Sequence, residues 1–315
     1  MKYRGNPESK KGMLFIGDSF TRGQGLWWYS FSPVLETYKE QEQGYSPWLY
    51  TTANLKFKNR HRFPRLVADH FDSFEIVHPS NGGANDLMVE YWTESLNDDN
   101  NHGSFIRNTL YDHLAPDIAG KTDVQIAQDY PTWFDQLTKT KHQEISHVVF
   151  QLTYWPRSRI TNFDFIYRVG RPLRLFDVWN PSQHYKDLFS EWLLNKNMDL
   201  FQFHNEFIAN DFNNVKTFLQ GLEEKGIKTY IMTWSPHYVP LIKQDELLAD
   251  KLITFEYNNS TYECIEDMFQ KNPGLEILGD YEHFETPPVD SHPSLHCHRL
   301  FADSIIKKIE KDKNG

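Results

Sequence analysis

The chain has 315 residues, with 33 basic against 43 acidic and a formal net charge of −10, an excess that disfavours coating nucleic-acid phosphates. Aromatic residues make up 15% of it, which argues for a packed core over disorder, and its two cysteines, Cys264 and Cys297, exclude a disulfide scaffold and a cysteine-rich zinc site. No apolar run nears the ~20 residues that span a bilayer, and the polar start MKYRGNPESKKG has no signal-peptide h-region, so the expectation is a cytoplasmic protein or a virion component released by lysis.

Residues 13–20, MLFIGDSF, read as a buried strand ending in a Gly-Asp-Ser turn. Residues 21–60 form a long aromatic connection, of a length that inside a domain is usually functional. FPRLVADHF, residues 63–71, reads as a helix with Leu66, Val67, His70 and Phe71 on one face. Residues 74–78, FEIVH, are a second strand, followed by the Gly-rich turn SNGGAND. PTWFDQLTK opens a helix at Pro131. Residues 146–153, SHVVFQLT, are a third strand, and 154–183 a second long loop rich in Arg and aromatics. Residues 185–225 read as helical up to a stop at Gly226, 227–235 as a fourth strand, and 295–311 as a last helix. This alternation implies a three-layer α/β/α arrangement with a mainly parallel sheet. A single domain over 1–315, with insertions at about 21–60 and 154–183, is expected.

Ser19 ends the first strand, at the carboxyl edge where open α/β sheets place their sites. A serine hydroxyl needs a neighbouring base to act as a nucleophile; read alone, the turn is equally an ordinary polar one with Ser19 capping a helix. The segment Asp290-Ser291-His292-Pro293-Ser294 offers that base, because a nearby carboxylate can hold an imidazole in the tautomer that takes a serine proton. Pro293 stiffens the turn that presents His292. His292, His296 and His298 together raise metal binding as a rival. His296 and His298 are two apart on a helix and point apart, however, and no Cys or carboxylate pair completes a set, so no metal is expected. In residues 80–86 the adjacent Gly82 and Gly83 let backbone amides approach a ligand as an oxyanion hole requires; a plain loop with a helix start at Asn85 is the alternative.

Taken in order, GDSF at 17–20, NGGAND at 81–86 and DSHPS at 290–294 resemble the motifs of the SGNH/GDSL hydrolase superfamily, over nearly the whole chain from Gly17 to about Asp303. The resemblance implies a flavodoxin-like three-layer fold and a serine esterase or deacetylase that needs no metal or cofactor. By position it implies Ser19 as nucleophile, His292 as general base and Asp290 as its orienting carboxylate, with backbone amides of Ser19 and of Gly82 or Gly83 as the oxyanion hole. Two departures stand out. Asp290 precedes His292 by two residues, where the family usually has three, and the third strand ends QLTYWPRSR, without the family's Gly-x-Asn-Asp block. Asn85 is the nearest substitute for that missing donor, with Thr153 and Arg157 behind it. Trp27, Trp28, Tyr154, Trp155 and Arg157, on the two insertions, suit sugar rings; simple packing of the loops is the competing reading. The expectation is therefore a carbohydrate O-deacetylase acting on a small-molecule or polysaccharide ester, with neither nucleic acid nor membrane as partner. A non-catalytic glycan-binding module and an acyltransferase are the alternatives.

Overall fold

The computed structural model describes residues 11–29, 52–77, 84–97, 145–154, 157–160, 173–174, 183–285 and 288–314. The four apolar runs become strands β1 (Gly12–Ile16), β2 (Phe74–Val77), β3 (Ile145–Leu152) and β4 (Lys228–Thr233). They pair in parallel throughout, in the order β2-β1-β3-β4. Beyond β4 the Ile253 N–H bonds to the Ile231 carbonyl at 2.8 Å, a rudiment of a further parallel neighbour. The helices among the described residues are α1 (Ser19–Arg22), α2 (Thr52–His61), α3 (Phe63–His70), α4 (Asn85–Asn97), α5 (Gln183–Asn195), α6 (Leu200–Glu224), α7 (Val239–Gln244), α8 (Ile265–Lys271) and α9 (Leu295–Asn314).

Successive strand residues face opposite ways. Leu14, Ile16, Val148, Phe150 and Ile231 thus form one face, packed on α4, α5 and α6 through Trp92, Trp192, Phe212 and Val215. Met13, Phe15, Val149, Tyr230 and Met232 form the other, packed on α3, α8 and α9 through Phe63, Val67, Phe269 and Phe301. Both faces of a parallel sheet must be covered because both are apolar, and the mixed α/β arrangement expected from the alternation follows. From β1 the chain goes on to β2 on one side and from β3 to β4 on the other, so a crevice opens between the carboxyl ends of these two central strands, the position where doubly wound sheets bind ligands.

Three expected elements differ. The helix over 185–225 is two helices, broken where Asn197 takes a φ of 51° and Asp199 starts α6 with a capping box to Gln202. On α3, Val67 is buried and Leu66 and Phe71 pack against the core as expected, joined by Phe63 and Ala68, while His70 lies outside, paired with Glu310 at 2.8 Å. The connection over 21–60 carries its own elements: part of α1, a 3-10 turn at Leu26–Tyr29 and α2. The helix expected at Pro131 lies outside the described residues.

Candidate functional site

β1 runs out at Ile16 into Gly17, where any side chain would collide with Thr21 Oγ1 and Gln151 Oε1; glycine is what permits the turn. Asp18 follows and caps α1, its Oδ1 accepting the Phe20 N–H at 3.0 Å, so the cap residue is Asp18 and not Ser19. The same buried carboxylate accepts from Gln151 Nε2 at 3.0 Å, Thr153 Oγ1 at 2.7 Å and Arg157 Nη1 at 2.8 Å. Asp18 thereby ties the end of β1 to the end of β3 across the central crevice. Ser19 is left as the first residue of α1, buried, with a backbone N–H that has no acceptor within its own helix.

The two-residue spacing of Asp290 and His292 produces a tight pair. Asp290 Oδ1 accepts from His292 Nδ1 at 2.6 Å and from the His292 backbone N–H at 3.0 Å. With Nδ1 as donor, the neutral ring keeps Nε2 as its proton acceptor. The loop is stitched to residues 275–278: Leu278 N–H donates to the Asp290 carbonyl, Ile277 N–H to the His292 carbonyl and Ser294 N–H to the Leu275 carbonyl, at 2.9, 2.9 and 2.8 Å. Burial works against charge on Asp290, but the His292 side chain and backbone N–H, with the Trp28 indole, outweigh it and hold the carboxyl below its ordinary value.

The two segments meet. Phe20, next to Ser19, sets its ring edge-on to the His292 ring with centroids 5.3 Å apart. Gly25, at a φ of 87°, lies where a Cβ would be 3.1 Å from both Asp290 Oδ2 and His292 Cβ. Among the described residues the His292 side chain hydrogen-bonds to Asp290 and not to Ser19.

The remaining expected residues divide. Asn85 is wholly buried at the start of α4, and both its donors are taken: Nδ2 bonds to Asp211 Oδ2 at 2.6 Å and to the Tyr238 hydroxyl at 3.1 Å, while Oδ1 accepts the Thr153 N–H at 2.9 Å. Its amide serves a buried network, which displaces the expected oxyanion role. Thr153 spends its hydroxyl proton on Asp18. Trp28 turns its indole N–H to Asp290 Oδ2 at 2.9 Å instead of offering it to a sugar. Tyr154 is 37% exposed and Arg157 34%, both just past β3. Trp27 falls in the 3-10 turn; Gly82, Gly83 and Trp155 lie outside the described residues. His298 is buried, with Nδ1 accepting the Phe63 N–H at 3.3 Å, whereas His296 is exposed against Tyr257, so the two diverge. Among the described residues no group of three or more His, Cys, Asp or Glu is placed to hold a metal ion, and no helix is long and apolar enough to cross a membrane.

Sequence reasoning missed Gln151, Asp211 and Tyr238. Asp211 accepts from Asn85, Tyr238 and Ser158, and burial pushes its carboxyl above the usual range against those bonds. The signal was present: Ile208, Asp211, Val215, Leu219 and Leu222 share the buried stripe of α6, so a carboxylate sits on an apolar face. Comparison of the chain with protein-family models, with curated proteins and with solved structures returns no match.

Proposed function

We propose that the chain is a serine esterase of SGNH type that removes O-acetyl groups from a carbohydrate. The observation that carries this reading is the Asp290–His292 pair, held at 2.6 Å and laid against Phe20, the neighbour of Ser19. The order β2-β1-β3-β4 supports it, since flavodoxin-like sheets use the crevice between their first and third strands. In this mechanism Ser19 Oγ attacks the acyl carbon while His292 Nε2 takes its proton, and Asp290 stabilises the imidazolium that forms. The imidazolium then protonates the departing sugar oxygen, leaving an acyl-enzyme. Water, losing a proton to the same imidazole, releases acetate and restores Ser19.

The developing oxyanion needs donors. The Ser19 N–H is one, and the glycine turn at Gly82 and Gly83 is the second expected from the motif. Of the three side chains weighed for the missing donor, Arg157 has protons to spare: a guanidinium carries five, and its Nη1 serves Asp18 and Thr153. The Asp18 contact also places that guanidinium one residue from Ser19. Tyr154, exposed beside it, gives a sugar ring an aromatic face.

Hydrolysis of p-nitrophenyl acetate and of an acetylated polysaccharide tests the reading. Ser19→Ala should lower kcat by about 10⁴-fold or more with an unchanged melting temperature. An unaltered rate in that variant removes Ser19 from the chemistry. No turnover by the native chain, combined with retention on the polysaccharide in affinity electrophoresis, replaces the enzyme with a glycan-binding module.

A further inference from the structure

Trp28 was expected at the substrate, yet it is spent, with its neighbour Tyr29, on the segment that leads to His292. Trp28 sits on the 3-10 turn Leu26–Tyr29, which follows α1 after only three residues. Its own N–H closes that turn on the Gly25 carbonyl at 3.0 Å. Its indole Nε1 then donates to Asp290 Oδ2 at 2.9 Å, across 262 residues of sequence. Asp290 Oδ1, by contrast, is given wholly to His292. The carboxylate therefore has one oxygen for the imidazole and one for Trp28. A carboxylate held at one oxygen can swing about its Cβ–Cγ bond; one held at both cannot, and the imidazole it carries inherits the restraint. Tyr29 fastens the other end of the same loop, its hydroxyl donating to the buried Asp280 at 2.6 Å. Gly25 allows the close approach, because a side chain there would strike Ile277 and crowd Asp290.

We propose that Trp28 is a positioning residue that acts through Asp290, locking the Asp290–His292 pair in register with the Ser19 turn. It rests on the serine-esterase reading for its effect on rate, and on geometry alone for its effect on the pair. The segment that carries the nucleophile so builds the brace for the base, and two motifs far apart in sequence are aligned by residues that begin six positions after Ser19.

The test is a double-mutant cycle on the full chain, with Trp28→Phe, Asp290→Asn and both together, assayed with p-nitrophenyl acetate. Trp28→Phe should lower kcat by about 10- to 100-fold with KM within about twofold, since phenylalanine keeps the ring and loses the N–H. In the Asp290→Asn background the same change should cost less than about twofold, because the amide no longer holds the imidazole in the tautomer that Trp28 braces. A penalty that recurs in full beside Asp290→Asn, or one that appears in KM, assigns Trp28 to the substrate and overturns the proposal. Proton NMR separates this outcome from failure of the esterase reading. The low-field signal of the His292 Nδ1 proton, identified by its loss in Asp290→Asn, should broaden by solvent exchange in Trp28→Phe whether or not the chain turns over an ester. An unchanged, equally protected signal overturns the positioning role even if Ser19→Ala abolishes hydrolysis. Loss of protection in a chain where Ser19→Ala changes nothing supports the brace and removes the esterase.

Discussion

Asn85 joins three parts of the carboxyl edge: the start of α4, the Thr153 amide after β3, and Asp211 on α6 with Tyr238 after β4. All of these residues are buried, so removing one partner leaves the others with a desolvation cost already incurred. Asn85→Ala should therefore destabilise the protein by about 2–4 kcal/mol, read as a lower urea midpoint with an unchanged slope. An oxyanion donor would behave the other way, with kcat falling and stability kept, so a variant with native stability and a hundredfold slower turnover would restore the role expected from sequence. The contrast with Asp290 and His292 explains what could be read in advance. Those two lie two positions apart, and their pairing needs only local geometry; the partners of Asn85 lie 68, 126 and 153 residues away. The same holds for Trp28, whose aromatic ring suggested a sugar platform until its N–H found Asp290. Residue type gave the chemistry available; only the fold could say which donor was already committed.

The strands were legible as elements because each is a short apolar run closed by a turn: the expected 74–78, 146–153 and 227–235 became Phe74–Val77, Ile145–Leu152 and Lys228–Thr233. Helix boundaries were less legible where the signal is polar. The stretch Asn195–Lys196–Asn197–Met198–Asp199 reads as helix within 185–225, although Asp199 with Gln202 three residues on spells a capping box. Asp199 Oδ1 accepts the Gln202 N–H at 2.8 Å and Gln202 Oε1 accepts the Asp199 N–H at 3.1 Å. The cap matters because α6 carries Asp211 and covers the sheet through Phe212, Val215 and Leu219. Asp199→Ala should cost about 1 kcal/mol in chemical unfolding, whereas Asp199→Ser, which can rebuild the cap, should cost a few tenths. Equal losses in the two variants would mean that the side-chain cap contributes nothing there. On α3 the expected face holds at Leu66, Val67 and Phe71 and fails at His70, the last helical residue, whose ring turns out to Glu310 before Asp72, at a φ of 48°, redirects the chain.

Among the described residues, a buried and a half-buried histidine and a buried lysine are pushed toward their neutral forms, while buried Arg62 is paired with Glu75 at 2.9 Å. Burial, with the nearby charges of His292, Arg62 and His61, drives His298 down to about 3; burial and three lysines bring His147 to about 4; and Lys58, buried among Arg22 and Arg62, lies well below its ordinary value. The unfolded chain takes up a proton at each histidine near 6.5 and the folded chain does not, so between about 6.5 and 3 the unfolded state binds more protons and stability falls as pH falls. The carboxyls held low in the fold, Asp245, Glu223 and Asp290, act in the same direction at the acid end, where protonation removes their ionised partners' bonds. Nothing in the sequence marked His298 as the core histidine rather than a ligand: the choice came from β1, α3 and α9 closing around Phe63 and Phe301, on which its ring packs. His298→Gln keeps an oxygen for the Phe63 N–H and cannot titrate. In urea unfolding measured from pH 7 to 4.5, the native chain should lose stability steadily with acid, and His298→Gln should lose about 1.4 kcal/mol less for each pH unit below 6.5. Parallel curves for the two proteins would show that His298 takes up its proton in the folded state, and would place the acid sensitivity on His147 and the carboxylates instead.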